Sequence, residues 1–168
     1  MVYQSETAVV FSSPSLRPAM DADSLSPVHL VAANLAVVVA VIHLGLGILN
    51  WIKWASVGFL VPRDVRWPLF VVSGLVLVAG TWLAIRRRDR RQFYAMGMFL
   101  SLGYVVGYFG WHLSGHRPFL LVGPGTHHDL DFAFLVAHLF AGPVEFLAIV
   151  AELALAVLLA YLLAVESG

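Results

Sequence analysis

The chain of 168 residues contains no cysteine and few charged residues. Without cysteine it has no disulfides, thiolate metal sites, iron–sulfur clusters or cysteine nucleophiles. Charged residues make up 12% of the chain, whereas a soluble domain carries roughly 25%. The formal net charge is zero, which argues against a nucleic-acid partner. Hydrophobic residues make up 60% of the chain, so the composition indicates an integral membrane protein in a lipid bilayer.

Four long apolar segments predict four transmembrane helices, because roughly 20 apolar residues suffice to cross the hydrocarbon. The segments are residues 27–51, 67–85, 93–113 and 131–165. Ser26 before Pro27 favours a helix start, since the hydroxyl can cap and proline at the first position loses no hydrogen bond. We therefore expect an all-α fold, a four-transmembrane-helix bundle. It forms a single membrane domain over residues 27–168, after a disordered cytoplasmic tail at 1–26.

The fourth segment is too long for a simple crossing. About 34 residues of helix would span roughly 50 Å, against roughly 30 Å of hydrocarbon. Pro143, after Gly142, cannot donate a backbone hydrogen bond and should kink or divide the helix. We favour a long fourth helix that is kinked near Pro143. The alternative is a short helix at 130–141, lying at the surface or re-entering, followed by a crossing at 143–163.

Five arginines within residues 86–91 separate the second and third segments. Such a cluster favours the cytoplasmic side, which predicts a multi-pass protein of the plasma membrane with both termini in the cytoplasm. Lys53, Arg63, Arg66 and Arg117 weaken this asymmetry from the opposite side. The first 26 residues lack the features of a signal peptide, so the first helix should act as the targeting signal. Met20 is an alternative start, since nothing before it indicates structure.

Four ionisable residues in the fourth segment are spaced by seven. They are Asp131, His138, Glu145 and Glu152. Residues seven apart on a helix share one face, with a drift of about 20° per step. Such groups inside a membrane usually face a bundle interior, a cavity or one another. Together with Tyr108, which follows Tyr94 and Ser101 at the same spacing, they predict a proton or cation pathway.

The histidines favour a second chemistry, which is metal or haem binding. By helix rise, His43, His112 and His138 lie at similar depths in the outer half of the bundle. The candidate metal ligands are His43, His112, His116, His128, His138 and Asp131. Imidazole and carboxylate groups suit zinc or copper, and His43 with His138 could ligate one b-type haem. The simpler alternative is that His43 is a core imidazole bonded to a Tyr or Ser hydroxyl, and that His128 is a solvated loop residue.

A third hypothesis is a non-catalytic accessory subunit, whose polar stripe packs against a membrane-protein partner or another copy of the chain. Glycines of the third helix predict close helix packing, through Gly97 with Ser101 and Gly103 with Gly107. No Gly-x-Ser-x-Gly motif or other nucleophile–base arrangement indicates a hydrolase, and whether the protein is an enzyme stays open.

The sequence Tyr-Phe-Gly-Trp-His-Leu-Ser-Gly-His at residues 108–116 resembles a signature of small four-helix membrane proteins of halophilic archaea. The four-span layout, with its basic turn between the second and third helices, is similar over most of the chain. The resemblance implies an archaeal plasma membrane and no particular activity. In size and number of spans the chain is also similar to the DoxX-type membrane proteins, a likeness that assigns no functional residues.

Overall fold

The computed structural model describes residues 25–87, 89–114 and 132–166, and these residues form helices without any strand. The helices are α1 (Pro27–Ser56), α2 (Arg66–Arg86), α3 (Arg91–Leu113), α4 (Phe132–Ala141) and α5 (Pro143–Val165). Four of them, α1, α2, α3 and α5, are long and apolar enough to cross a membrane. The expected all-α bundle with four membrane-spanning helices is therefore confirmed.

Helix α1 begins at Pro27, as expected, but Ser26 does not cap it with its side chain. The Ser26 hydroxyl instead lies 2.6 Å from Nδ1 of His29, so the predicted cap was wrong. The helix continues to Ser56, five residues beyond the predicted end, and Gly58 follows with a φ of 90°. A turn with positive φ suits glycine, which has no Cβ to clash. At 30 residues, α1 is about 45 Å long.

Helix α2 is held at its start by Asp64, a buried carboxylate. One of its oxygens accepts the backbone N–H of Arg66 at 3.1 Å, and both oxygens accept from the Arg66 guanidinium. The same guanidinium lies 3.6 Å from the centroid of the Trp111 ring on α3. A cation over an aromatic face is attracted by the ring quadrupole, so Arg66 joins the loop before α2 to the end of α3.

The interruption predicted near Pro143 is confirmed, but it separates two helices, so the favoured single, kinked fourth helix was wrong. Gly142 has extended backbone angles (φ −111°, ψ 108°), and Pro143 is the first residue of α5. Proline has no N–H for the preceding turn, whereas it is well suited to a first helical position. The structure thus has the second of the two arrangements considered above, in which a short helix is followed by a full crossing.

The four long helices form a closed ring. Helix α1 packs most extensively on α2 and α3 on α5, while α1–α5 and α2–α3 contacts complete the ring. We call the end where α2 passes to α3 the basic end, after its arginines, and the opposite end the loop end. Helices α1 and α3 run from the basic end to the loop end, and α2 and α5 run the other way.

Helices α1 and α2 approach closely through two glycines. A Cβ on Gly74 would lie 2.7 Å from Leu44, and one on Gly47 would lie 2.9 Å from the backbone nitrogen of Val71. The expected close packing through Gly103 and Gly107 of α3 was wrong, since nothing lies within 4 Å of a Cβ at either position. Small residues allow close helix contact in membranes only where another helix is present on that face.

Candidate functional site

A buried histidine–glutamate pair lies in the centre of the bundle. Nε2 of His43, on α1, is 2.6 Å from Oε1 of Glu152, on α5. His43 is 1% exposed and Glu152 is 2% exposed. On the other side of the imidazole, Nδ1 lies 2.9 Å from the hydroxyl oxygen of Ser73 on α2. One histidine therefore joins three helices through its two nitrogens.

The direction of these hydrogen bonds follows from the Ser73 hydroxyl. Its single hydrogen is donated to the backbone carbonyl of Phe70, 3.0 Å away. The Ser73 oxygen must then accept from His43, so Nδ1 carries a hydrogen. The contact between Nε2 and Glu152 holds one more proton, either on the carboxyl group or on the imidazole. At 2.6 Å this contact is slightly shorter than the roughly 2.7–2.9 Å of a charge-assisted hydrogen bond between nitrogen and oxygen.

Aromatic rings enclose the imidazole. The Tyr104 ring, from α3, has its centroid 4.3 Å from that of His43, and the Phe70 ring lies 4.9 Å away, edge-on. Tyr104 and Phe70 stack on each other at 5.1 Å. Tyr104 also interacts with Ser73 and Glu152. All four long helices thus contribute a side chain to this site, which we call the central site: His43, Ser73, Tyr104 and Glu152.

A second polar cluster lies at the loop end. The ring of His112, on α3, is 4.6 Å from that of His138 on α4 and 4.1 Å from that of Tyr108. Nδ1 of His112 lies 2.8 Å from the carbonyl oxygen of Tyr108, so this nitrogen must be the donor. Glu145 interacts electrostatically with both Tyr108 and His112. We call these four residues, Tyr108, His112, His138 and Glu145, the loop-end cluster.

The structure brings together only part of the predicted metal set. His112 and His138 are adjacent, whereas His43 uses both ring nitrogens for Ser73 and Glu152. An axial haem bond to His43 would require the loss of one of these hydrogen bonds. Within the part of the chain that the structure describes, no group of three or more His, Cys, Asp or Glu residues is arranged to hold a metal ion. His116, His128 and Asp131 lie outside the described residues.

The predicted acidic stripe is divided between the two sites. Glu152 is buried in the central site, whereas Glu145 is exposed and its carboxyl group lies over Gly142, where a Cβ would stand. His138 is half-buried on α4, a separate helix. The division at Gly142 interrupts the helical register between His138 and the two glutamates. Spacing by seven therefore does not place all of these groups on one continuous helix face.

Sequence reasoning missed Ser73, Tyr104 and Phe70 as members of the central site. The simpler expectation for His43, a core imidazole bonded to a Ser or Tyr hydroxyl, is confirmed by its contact with Ser73. Ser73 could have been found as an isolated hydroxyl in an apolar helix, because such a group needs a partner in a membrane. Tyr104 could not be distinguished from its neighbours, since the sequence does not give the rotation of α3 about its axis.

The fold and this interior define the class of the protein. It is a multi-pass, four-helix integral membrane protein with a buried polar site to which all four spanning helices contribute. Comparisons with protein-family models, curated proteins and solved structures found no match for the chain.

Proposed function

We propose that this membrane protein binds and releases protons inside its bundle, and that the His43–Glu152 pair is the proton-binding group. The observation that carries the proposal is the 2.6 Å contact between a fully buried imidazole and a fully buried carboxyl group. Ionisable groups within membrane helices are expensive and typically belong to ion or proton pathways. The protein thus acts in proton transfer across, or coupled to, the membrane.

The central site can exist in two protonation states without leaving a ring nitrogen unpaired. In the protonated state, Nδ1 of His43 donates to Ser73, and the Glu152 carboxyl group is protonated and donates to Nε2. In the deprotonated state, that proton has moved from Glu152 to Nε2, which donates to the carboxylate, while Nδ1 has lost its hydrogen. The Ser73 hydroxyl then turns from the Phe70 carbonyl to donate to Nδ1. The net change is the loss of one proton. The hydrogen bond from Ser73 to the Phe70 carbonyl is replaced by one from Ser73 to Nδ1 of His43.

The groups that face the pair set its proton affinity. From α3 the titratable neighbour is Tyr104, and from α2 the neighbours are Ser73 and Phe70, which carry no charge. In a low-dielectric interior, the pair is most stable when its total charge is zero. The protonated state satisfies this condition, because both the imidazole and the carboxyl group are then neutral. Release of the proton leaves one buried negative charge, which makes release dependent on water or on another proton acceptor nearby.

The test is Glu152→Gln, compared with Glu166→Gln. An amide can still donate to Nε2 of His43, so the fold is retained while the titrating carboxyl is removed. Glu166 also pairs with a histidine, His29, at 3.2 Å, but lies at the basic end of the bundle. Infrared difference spectra between acid and alkaline pH should show a buried carboxyl band that Glu152→Gln abolishes and Glu166→Gln retains.

The same spectra can contradict the proposal. If no buried carboxyl changes its protonation at any accessible pH, or if Glu152→Gln leaves the spectrum unchanged, the pair is only a structural tether between α1 and α5. Metal or haem ligation by His43, His112 and His138 has less support, because both nitrogens of His43 are already bonded.

We place the protein in the plasma membrane, with the basic end and both termini in the cytoplasm, on the strength of the arginine cluster.

A further inference from the structure

The two sides of the central site differ in polarity. On the side toward the loop end, Tyr108 lies one helical turn beyond Tyr104 on α3, and His112 lies one turn beyond Tyr108. The hydroxyl of Tyr108 is buried and has no hydrogen-bond partner among the described residues. A buried hydroxyl without a protein partner is normally satisfied by water, so this position favours hydration next to the central site.

The side toward the basic end is closed by apolar side chains. From the level of His43 and Glu152 to this end, the buried residues of α1 and α5 are Ala32, Ala36, Val39, Ala40, Leu155, Ala156, Leu159 and Leu162. From Leu155 to Leu162 this layer is about 10 Å thick. Next to it lies a partly open cavity lined mainly by apolar residues such as Leu77 and Leu159, with His29, Thr81 and Tyr94 as the polar residues of its lining.

One polar group lies on the edge of this apolar layer. Ser101 is buried on α3, three residues toward the basic end from Tyr104, and its hydroxyl has no partner among the described residues. The next buried polar side chain of α3 in that direction is Tyr94, seven residues or about 10 Å further. That gap is wider than a single water molecule can bridge, so Ser101 does not connect the central site to the basic end.

We propose that the central site exchanges protons with the loop end only, and that Tyr108 is the relay between it and the loop-end cluster. This inference rests on the proposed function. A proton released by His43 passes through Ser73, Tyr104 and water to the oxygen of Tyr108, which releases its own hydroxyl proton toward His112. Tyr108 is unchanged after each transfer. Nε2 of His112 receives the proton, because Nδ1 is already the donor to the Tyr108 carbonyl. His138 and Glu145 are the next acceptors toward the loop end.

The experiment compares Tyr108→Phe with Tyr94→Phe, two changes on the same helix that each remove one oxygen atom. Protein in nanodiscs is subjected to a pH jump, and the rate and midpoint of the Glu152 infrared band are followed. Tyr108→Phe should slow proton exchange about tenfold or more and leave the midpoint unchanged. Tyr94→Phe should exchange at the wild-type rate. Circular dichroism of both variants confirms that the helices are retained.

Other outcomes would overturn the inference in different ways. Slow exchange in Tyr94→Phe alone would place access at the basic end, and wild-type rates in both variants would remove Tyr108 from the pathway. In either case a titrating Glu152 band would leave the proposed function standing. Absence of that band in the wild-type protein would reject the proposed function itself, so the two failures are distinguishable.

Discussion

Ser73 and Ser101 are both buried serines that face the bundle interior, but they differ in their partners. Ser73 accepts from His43 and donates to Phe70, whereas the Ser101 hydroxyl has no partner among the described residues. Removing a bonded hydroxyl leaves the Nδ1 hydrogen of His43 buried and unpaired. Removing the Ser101 hydroxyl leaves no donor or acceptor of the described residues unpaired. Alanine substitutions at the two positions therefore separate the contribution of the Ser73 hydrogen bond to stability from the effect of replacing a serine within a helix.

We expect Ser73→Ala to lower the free energy of unfolding by about 1–3 kcal/mol, the usual penalty for an orphaned buried donor. Ser101→Ala should change it by less than about 0.5 kcal/mol, as alanine also favours the helix. Unfolding in mixed micelles with sodium dodecyl sulfate, followed by circular dichroism, measures both. Equal losses in the two variants would show that the Ser73–His43 bond contributes no net stability.

At the residue scale, the sequence predicts which side chains need an interior partner better than it predicts which partner each one finds. His43 and Glu152 are both recognisable as buried polar groups because their helices are otherwise apolar. Their pairing depends on which helices are neighbours and on how each is rotated, and the chain does not specify either locally. Glu145 shows that a charged residue in an apolar segment is not always buried, because a carboxyl group in the first turn of α5 can fold back over Gly142 and stay exposed.

At the element scale, the number of spanning helices and the α4–α5 break follow from hydropathy and from proline chemistry, whereas the closest helix contact does not. On α3, the spacing of Gly97 and Ser101 indicates a real close contact, since a Cβ on Gly97 would lie 2.8 Å from Leu159 of α5, whereas the spacing of Gly103 and Gly107 suggested a wrong one. A further close approach, which no such spacing predicted, occurs between α1 and α2, where Gly47 and Gly74 lie eight or more residues from either helix end. The spacing of small residues identifies a helix face that allows close packing. Which helix packs on that face depends on the arrangement of all the helices in the bundle.

We expect Gly74→Ala to destabilise the bundle by about 1–3 kcal/mol, because the new Cβ would overlap Leu44 on α1 and force the helices apart. Gly80→Ala on the same helix is the control. No atom lies within 4 Å of a Cβ there, so the change should be neutral or should stabilise α2 by up to about 1 kcal/mol. The same detergent unfolding assay measures both variants. If Gly74→Ala were as stable as the wild type, α1 and α2 could move apart without lowering the free energy of unfolding.

At the scale of the whole molecule, an error in helix length altered the predicted site. Depth counted from residue 51 placed His43 about 12 Å from the end of its helix, level with His138. Because α1 continues to Ser56, His43 is 13 residues, or about 20 Å, from that end. Its partner Glu152 is nine residues, or about 14 Å, inside α5, so depth counted along each helix separately does not identify the pair. The sequence therefore predicts a polar interior correctly but assigns its members to the wrong level.

The orientation of the bundle decides which compartment supplies protons through the loop end. Residues 86–91 carry five arginines and one aspartate, whereas the charge of Arg66 at the loop end is neutralised by Asp64. Positive charge is retained in the cytoplasm, so the basic end should face inward and the loop end outward. Since the chain lacks cysteine, single cysteines report their own side of the membrane without background. Asp89→Cys and Ser56→Cys are suitable because both positions are exposed, one at each end.

In intact cells, a membrane-impermeant maleimide should label Ser56→Cys, and should label Asp89→Cys only after permeabilisation. Labelling of the cysteine-free wild type gives the background. The reverse pattern would invert the bundle, and the proposed proton route would then open to the cytoplasm, with the apolar layer facing outward. The hydrogen bonds of the central site are the same in either orientation of the bundle. The direction in which protons are delivered to His43 and Glu152 therefore depends on the arginines of the α2–α3 turn, about 20 Å away along α2.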